Sequence, residues 1–225
     1  FNLGYKYVTS DYICFFHGDD IMNLDFISSR LEHLIGSTKQ LVACCGKLET
    51  ISDNTKYNSI LIPKGKKGSL SGQAVMYKKQ LTDIIFPIPE MLPNEDFWMR
   101  LNIKYFSEEL IHVKNIIAKY RIHEDNSFLS IGTMNDFKEK SEKIHLRRAL
   151  VLNKFIEQYG DKLEVQENQK IKDYLKAEDF RYSGHWLKII FSKIGLKDKL
   201  RFIFESNSTM YNIKNKFSWI FLGRG

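Results

Sequence analysis

The chain has 225 residues, of which 43% are hydrophobic and 27% charged, with four Pro and 13 Gly. This balance is typical of a globular protein and excludes a disordered, collagen-like or low-complexity chain. No stretch approaches 18 uninterrupted apolar residues, so the sequence predicts no membrane-spanning helix. The three Cys form no C-x-x-C pair, which argues against a zinc ribbon or a disulfide framework. The reduced cytoplasm is therefore the expected compartment.

The net charge of +7 comes from the C-terminal end of the chain. Residues 181–225 hold nine Lys and Arg but two Asp and Glu, whereas basic and acidic residues balance over 1–180. Bulky apolar residues are interleaved with these basic residues, which suits a helix in a membrane interface better than a nucleic-acid groove. The other interpretation is a helical subdomain whose lysines are simply solvated. We expect peripheral membrane contact through 181–225 and no nucleic-acid partner.

The first half of the chain alternates strand-like and helix-like patterns. An apolar run over 12–16 predicts a buried strand, and it ends in the turn composition His17-Gly18-Asp19-Asp20. The patterns that follow predict a helix over 24–36, a strand or strand pair over 41–51, a long loop over 52–72, a strand over 73–77 and a short helix over 78–85.

A second helix and a long strand complete this half. Asn94 is placed to cap a helix whose first turn carries Glu95 and Asp96, the acidic residues that a helix N-terminus favours. A β-rich run over 111–120 follows, and from Asn135 the pattern is helical to the end. We therefore predict an α/β part over 1–134 and a helical region over 135–225.

The acidic turn is the first candidate site. Ligands of open α/β sheets bind outside the carboxyl ends of strands, and carboxylates there can hold Mg²⁺ or Mn²⁺. Successive residues of extended chain point in opposite directions, so we expect one of Asp19 and Asp20 to bind metal and the other to orient the site. The alternative is an ordinary Asp-rich turn.

Two further candidates lie downstream. A carboxylate in the Glu95-Asp96 pair could act as a general base toward a hydroxyl, although a helix N-terminus favours acidic residues without any catalysis. Arg121 and His123 lie two positions apart, so a strand would place them on one face, where they could meet a phosphate or a metal. An exposed strand end explains them equally well.

The order of these motifs is more informative than each motif alone. Asn2-Leu3-Gly4, then Ser10-Asp11-Tyr12-Ile13, precede the strand and its acidic turn. Asn94-Glu95-Asp96 and Tyr120-Arg121-Ile122-His123 follow. Together they resemble family 2 glycosyltransferases of the GT-A fold over about residues 1–130, where R-N-x-G, G-[DE]-Y-[IV], an acidic metal motif, an E-D pair and an aromatic-Arg-x-His string occur in this order.

The resemblance implies an inverting, metal-dependent glycosyltransferase. It would move a single sugar from a nucleotide-diphosphate sugar, most simply a UDP-sugar, to a hydroxyl of a glycan or lipid-linked acceptor. Bacterial surface polysaccharide or glycolipid assembly at the inner membrane face is the implied setting. The implied roles are Asp96 as catalytic base, Glu95 at the acceptor, Asp19 and His123 at Mn²⁺ or Mg²⁺, and Asp20, His17 and Arg121 at the donor.

Two departures from the family pattern stand out. His17 occupies the position where the family's metal motif usually begins with Asp. The N-terminal segment that binds the nucleotide in this family is also absent. It comprises about two βα units, on the order of 70 residues, so we expect an N-terminally truncated GT-A sheet. The alternative function is a catalytically incomplete GT-A remnant that binds a membrane or a partner.

Overall fold

The computed structural model describes residues 1–122 and 134–213. The chain forms two compact units, Phe1–Ser130 and Ile131–Gly225. The first contains a mixed sheet and helices, and the described part of the second is helical. The mixed α/β class predicted from the sequence is therefore confirmed.

The first unit contains six strands and four α-helices among its described residues. The strands are β1 (Tyr12–Cys14), β2 (Ile21–Met22), β3 (Val42–Ile51), β4 (Leu61–Ile62), β5 (Val75–Lys78) and β6 (Glu109–Arg121). The helices are α1 (Asn2–Tyr5), α2 (Ser28–Gly36), α3 (Lys79–Ile85) and α4 (Glu95–Phe106).

The sheet has the strand order β1-β5-β3-β6-β2, with β4 paired to β3. Only β3 and β6 pair in parallel; the other described pairs are antiparallel. It follows that β1, β3 and β6 run in the same direction and that their carboxyl ends lie at the same end of the sheet. Although β1 and β2 are consecutive in sequence, they lie at opposite edges, so residues 15–20 cross from one edge to the other.

Local signals account for several of these elements. The Asn94 side chain accepts a hydrogen bond from the backbone N–H of Phe97 at 3.1 Å, which confirms it as the cap of α4. The predicted strand or strand pair over 41–51 is one ten-residue strand that is buried along most of its length. The predicted loop over 52–72 contains β4, and the two-residue β2 has no counterpart in the predicted elements.

Two groups of buried residues in the first unit include residues of β3. Leu34 of α2 packs with Val42, Cys44 and Met76. Phe26 packs with a second group of buried residues, Leu48, Ala74, Ile117 and Ala118. These contacts hold α2 against the sheet. The antiparallel pairing of Cys14 with Met76 places the segment before β5 at the carboxyl end of β1.

The second unit contains α5 (Met134–Tyr159), α6 (Val165–Tyr182), α7 (Trp186–Ile190) and α8 (Leu196–Phe204). Buried Glu178 and Arg181 of α6 form an ion pair at 2.6 Å, and Arg148 of α5 contacts the same carboxylate at 2.9 Å. Within the described ranges, no helix combines the length and apolar character needed to cross a bilayer.

Candidate metal and carboxylate site

The acidic turn gathers three side chains that can bind a metal. His17, Asp19 and Asp20 each offer one ligand atom, and these atoms all lie within 4.8 Å of one another. Nδ1 of His17 is 3.8 Å from Oδ2 of Asp20. The expectation that Asp19 and Asp20 would point in opposite directions assumed extended chain. Residues 18–19 form a turn instead, and a turn can bring neighbouring side chains to one side.

Asp20 is the most constrained of the three. Its side chain is 0% exposed, and Oδ1 accepts a hydrogen bond from the backbone N–H of Arg121 at 2.6 Å. In the described part of the chain, Oδ2 has no hydrogen-bond partner. A buried carboxylate oxygen without a partner is costly, and a cation bound in the turn would remove that cost.

The electrostatics of the turn reflect this burial. Desolvation raises the pKa of Asp20, and the negative charge of Asp19 adds to the increase. The Arg121 N–H, the Gln73 side chain and His17 act in the opposite direction without cancelling it. The turn therefore holds a carboxylate that is poorly stabilised in its charged form.

Arg121 connects the turn to the sheet. Its Nε donates to the backbone carbonyl of Asp19 at 2.7 Å, while its N–H holds Asp20. Arg121 ends β6, so the turn is fixed at the common carboxyl end of the strands. The predicted partner of Arg121, His123, lies outside the described residues.

Asp96 faces the same region from α4. Its Oδ1 accepts the backbone N–H of Gly72 at 2.9 Å. A Cβ placed on Gly72 would lie 2.8 Å from this oxygen and 3.8 Å from Nε2 of His17. The carboxylate of Asp96 and the imidazole of His17 therefore face one small space, with Gly72 between them.

A buried side chain of the core fixes the segment that carries Gly72. It forms a short 3₁₀ turn, Gly72–Ala74, directly before β5. The buried Arg30 donates to the carbonyl of Gln73 at 3.2 Å and to the carbonyl of Phe26 at 2.6 Å. Burial lowers the pKa of Arg30, and its guanidinium stacks over the Phe26 ring at 4.2 Å.

Sequence reasoning missed Gly72, Gln73 and Arg30. Gly72 ends a loop rich in Gly and Ser, which gives no reason to single it out. An isolated Arg in a helical pattern predicts an exposed side chain, and no neighbouring residue indicates that Arg30 is buried.

Glu95 lies beside a shallow groove next to Asp96. The groove has a volume of about 270 Å³ and is lined by Phe1, Asn2, Leu3, Ile88, Pro89, Glu90, Leu92 and Glu95. The side chain of Asn2 donates to the carbonyl of Ile88 at 2.7 Å and accepts its N–H at 2.8 Å, which fixes one wall. The ring of Phe1 reaches 4.0 Å from the position of a Cβ on Gly72, so the groove adjoins the space shared by Asp96 and His17.

The structure thus brings together five of the predicted site residues: His17, Asp19, Asp20, Arg121 and Asp96. Of the other two predicted residues, Glu95 is exposed and lines the adjoining groove, and His123 lies outside the described residues. Such a constellation can bind a divalent cation beside a carboxylate able to accept a proton. No protein-family model matches the chain, and no curated protein matches it significantly.

Proposed function

We propose that the first unit carries the catalytic site of an inverting glycosyltransferase with a GT-A type sheet. The reaction moves a single sugar from a nucleotide-diphosphate sugar, most simply a UDP-sugar, to a hydroxyl of a glycan or lipid-linked acceptor. One observation carries the proposal: the His17-Asp19-Asp20 turn and the Asp96 carboxylate meet across Gly72 at the carboxyl end of β1 and β6. Metal ligands and a base on opposite sides of one small space are what such a transfer requires.

The turn residues fit a divalent cation. Asp20 offers a buried oxygen that has no hydrogen-bond partner among the described residues, Asp19 is exposed, and His17 adds a nitrogen ligand. When bound there, Mn²⁺ or Mg²⁺ offsets the negative charge that develops on the leaving diphosphate. Because Mg²⁺ takes oxygen ligands almost exclusively, the imidazole of His17 favours Mn²⁺.

Asp96 serves as the base. The Gly72 N–H holds its Oδ1, so the other carboxylate oxygen takes the proton of the acceptor hydroxyl. The hydroxyl oxygen forms a bond to the anomeric carbon, and the bond from that carbon to the diphosphate oxygen breaks, with its electron pair leaving on the diphosphate. Attack from the side opposite the leaving group inverts the anomeric centre. Glu95 and the groove beside it hold the acceptor.

Calorimetric titration of UDP into the chain with Mn²⁺ present tests the donor site. The expected result is metal-dependent binding that Asp19→Ala abolishes and that the matched control Asp53→Ala, in an exposed loop, retains. Equal UDP affinity in the presence and absence of Mn²⁺, or in Asp19→Ala and wild type, refutes the assigned metal site.

A transfer assay with a panel of UDP-sugars tests the base. Asp96→Asn keeps the shape of the side chain but accepts no proton, so we expect metal-dependent UDP binding without transfer. Full transfer by Asp96→Asn removes Asp96 from the mechanism. Metal-dependent UDP binding by wild type with no transfer to any acceptor supports the alternative, a binding module that retains the GT-A architecture without its reaction.

A further inference from the structure

The helices α7 and α8 of the second unit expose apolar side chains on the face that points away from α6. Ile189 and Phe202 are buried in one cluster with Ala177 of α6. Leu187 and Leu200 precede these residues by two positions, which on a helix places them on the opposite face. They are 55% and 49% exposed.

Three further residues extend this apolar surface. Phe191, directly after α7, is 84% exposed, Leu196 at the start of α8 is 73% exposed, and Ile190 is also exposed. The amine of Lys199 donates to the carbonyl of Ile190 at 2.8 Å, which holds the end of α7 beside α8. We name this surface the outer α7–α8 face, consisting of Leu187, Ile190, Phe191, Leu196 and Leu200.

Two exposed lysines adjoin the outer α7–α8 face in sequence. Lys193 follows Phe191 by two positions, and Lys197 directly follows Leu196. Lys188 and Arg201 instead contact α6, through the ring of Phe180 and the hydroxyl of Tyr174. Over 183–213 the sequence has five basic residues against two acidic ones, and one of these, Asp198, bonds Arg201 at 2.7 Å. The apolar face therefore lies in a segment with an excess of positive charge, and Lys193 and Lys197 adjoin its residues in sequence.

This combination determines what can cover the face. A second copy of the chain would bring the same lysines against each other, which like-charge repulsion disfavours. A nucleic acid would satisfy the lysines but leave the leucines and Phe191 without an apolar partner. The boundary between headgroups and acyl chains of an anionic bilayer satisfies both, since apolar side chains enter it while lysines reach the phosphates.

We propose that the outer α7–α8 face docks the protein onto an anionic lipid bilayer. Phe191 and Leu196 enter the bilayer surface, and Lys193 and Lys197 meet lipid phosphates. The surface belongs to the second unit and does not depend on the transferase site of the first.

Cosedimentation of the full chain with vesicles tests the proposal. We expect binding to phosphatidylglycerol–phosphatidylcholine vesicles, weaker binding as salt rises, and little binding to pure phosphatidylcholine. Lys193→Glu with Lys197→Glu should weaken binding more than about 20-fold, because each removed Lys alone accounts for about fivefold. Phe191→Ser should weaken it roughly tenfold, since a large ring no longer enters the bilayer.

A matched control separates a specific surface from net charge. Lys64→Glu with Lys66→Glu changes the net charge equally at two exposed positions of the first unit and should leave vesicle affinity nearly unchanged. The changed residues of all variants are exposed, and unchanged circular dichroism checks that each folds.

Three outcomes overturn the proposal. The first is no binding to anionic vesicles at low salt. The second is equal loss of binding in the Lys64 and Lys66 control, which would show that net charge alone is responsible. The third is a dimer in sedimentation velocity without lipid that Phe191→Ser disperses, which would assign the face to a second copy of the chain.

Discussion

Gly72→Ala tests the contact between the two halves of the candidate site. The added methyl would lie 2.8 Å from Oδ1 of Asp96, closer than a carbon and an oxygen can approach, so the carboxylate must move and its bond from the Gly72 N–H is lost or stretched. A hydrogen bond to a charged group contributes about 1.5–3 kcal/mol. The methyl also lowers the conformational entropy of the unfolded chain, which raises the free energy of unfolding by about 0.4–1 kcal/mol. We expect the free energy of unfolding to fall by roughly 1–2 kcal/mol.

Urea unfolding of the full chain measures this loss, and Gly65→Ala is the matched control. A Cβ on Gly65 meets no atom within 4 Å. The control therefore has the same lower conformational entropy of the unfolded chain but no steric clash in the folded state. The methyl on Gly72 would lie 3.8 Å from Nε2 of His17, an ordinary contact, so Mn²⁺ affinity should change little. Transfer should fall about 100-fold, because a displaced base is poorly aligned. Gly72→Ala as stable as Gly65→Ala would refute the geometry assigned to Gly72 and Asp96.

The remaining predictions concern three buried charges. Asp20→Asn removes a buried charge, one oxygen of which has no hydrogen-bond partner in the described part of the chain. Without metal, the free energy of unfolding should therefore rise by about 1 kcal/mol in thermal unfolding, and Mn²⁺ should no longer stabilise the variant. A lower free energy of unfolding without metal contradicts this prediction. Arg30→Ala leaves two buried backbone carbonyls without their donor and should cost about 3 kcal/mol or more in urea unfolding, against less than about 1 kcal/mol for exposed Arg100→Ala. Glu178→Gln leaves its two arginine partners without a carboxylate and should cost about 3–5 kcal/mol near pH 7.

The Glu178 prediction has a definite pH dependence. Burial alone would raise the pKa of Glu178, but hydrogen bonds and charges from Arg181 and Arg148 outweigh it and hold the pKa below the ordinary 4.5. His145 also faces this carboxylate, at 3.6 Å. A lowered folded-state pKa contributes stability above the unfolded pKa, and this stability is lost as pH falls through the folded one. Thermal unfolding of wild type and Glu178→Gln should therefore converge in acid; an unchanged difference down to about pH 2 would contradict the assignment.

The elements that sequence alone predicted are those defined by neighbouring residues. Asn94 and the two acids after it mark the start of α4, because a side-chain cap and the helix dipole act within one turn. The helical spacing that ends at Gly36 likewise marks α2, which begins at Ser28 rather than Leu24. Motif order also identified the acidic turn and Asp96 as candidates.

The parts that the sequence did not predict depend on contacts between residues that are far apart in the sequence. The exposed β2 is a strand only because it pairs with β6 across the edge of the sheet. The approach of Asp96 to Gly72 requires α4 and β5 to be placed first, and no local pattern encodes it. Arg30 is buried because backbone carbonyls of Phe26 and Gln73 accept its hydrogen bonds, an arrangement that a single sequence cannot show.

The crossing of residues 15–20 between the two outer strands has a consequence for biosynthesis. β1 needs β5 as its partner and β2 needs β6, and Arg121, which holds Asp20, lies 101 positions after it. Closing such long loops is slow compared with forming a helix. A nascent chain therefore carries His17, Asp19 and Asp20 well before Arg121 is made, and we expect the proposed cation site to form only after β6 has left the ribosome. If the turn binds a cation as proposed, the strand order disfavours metal binding by an incompletely synthesised chain.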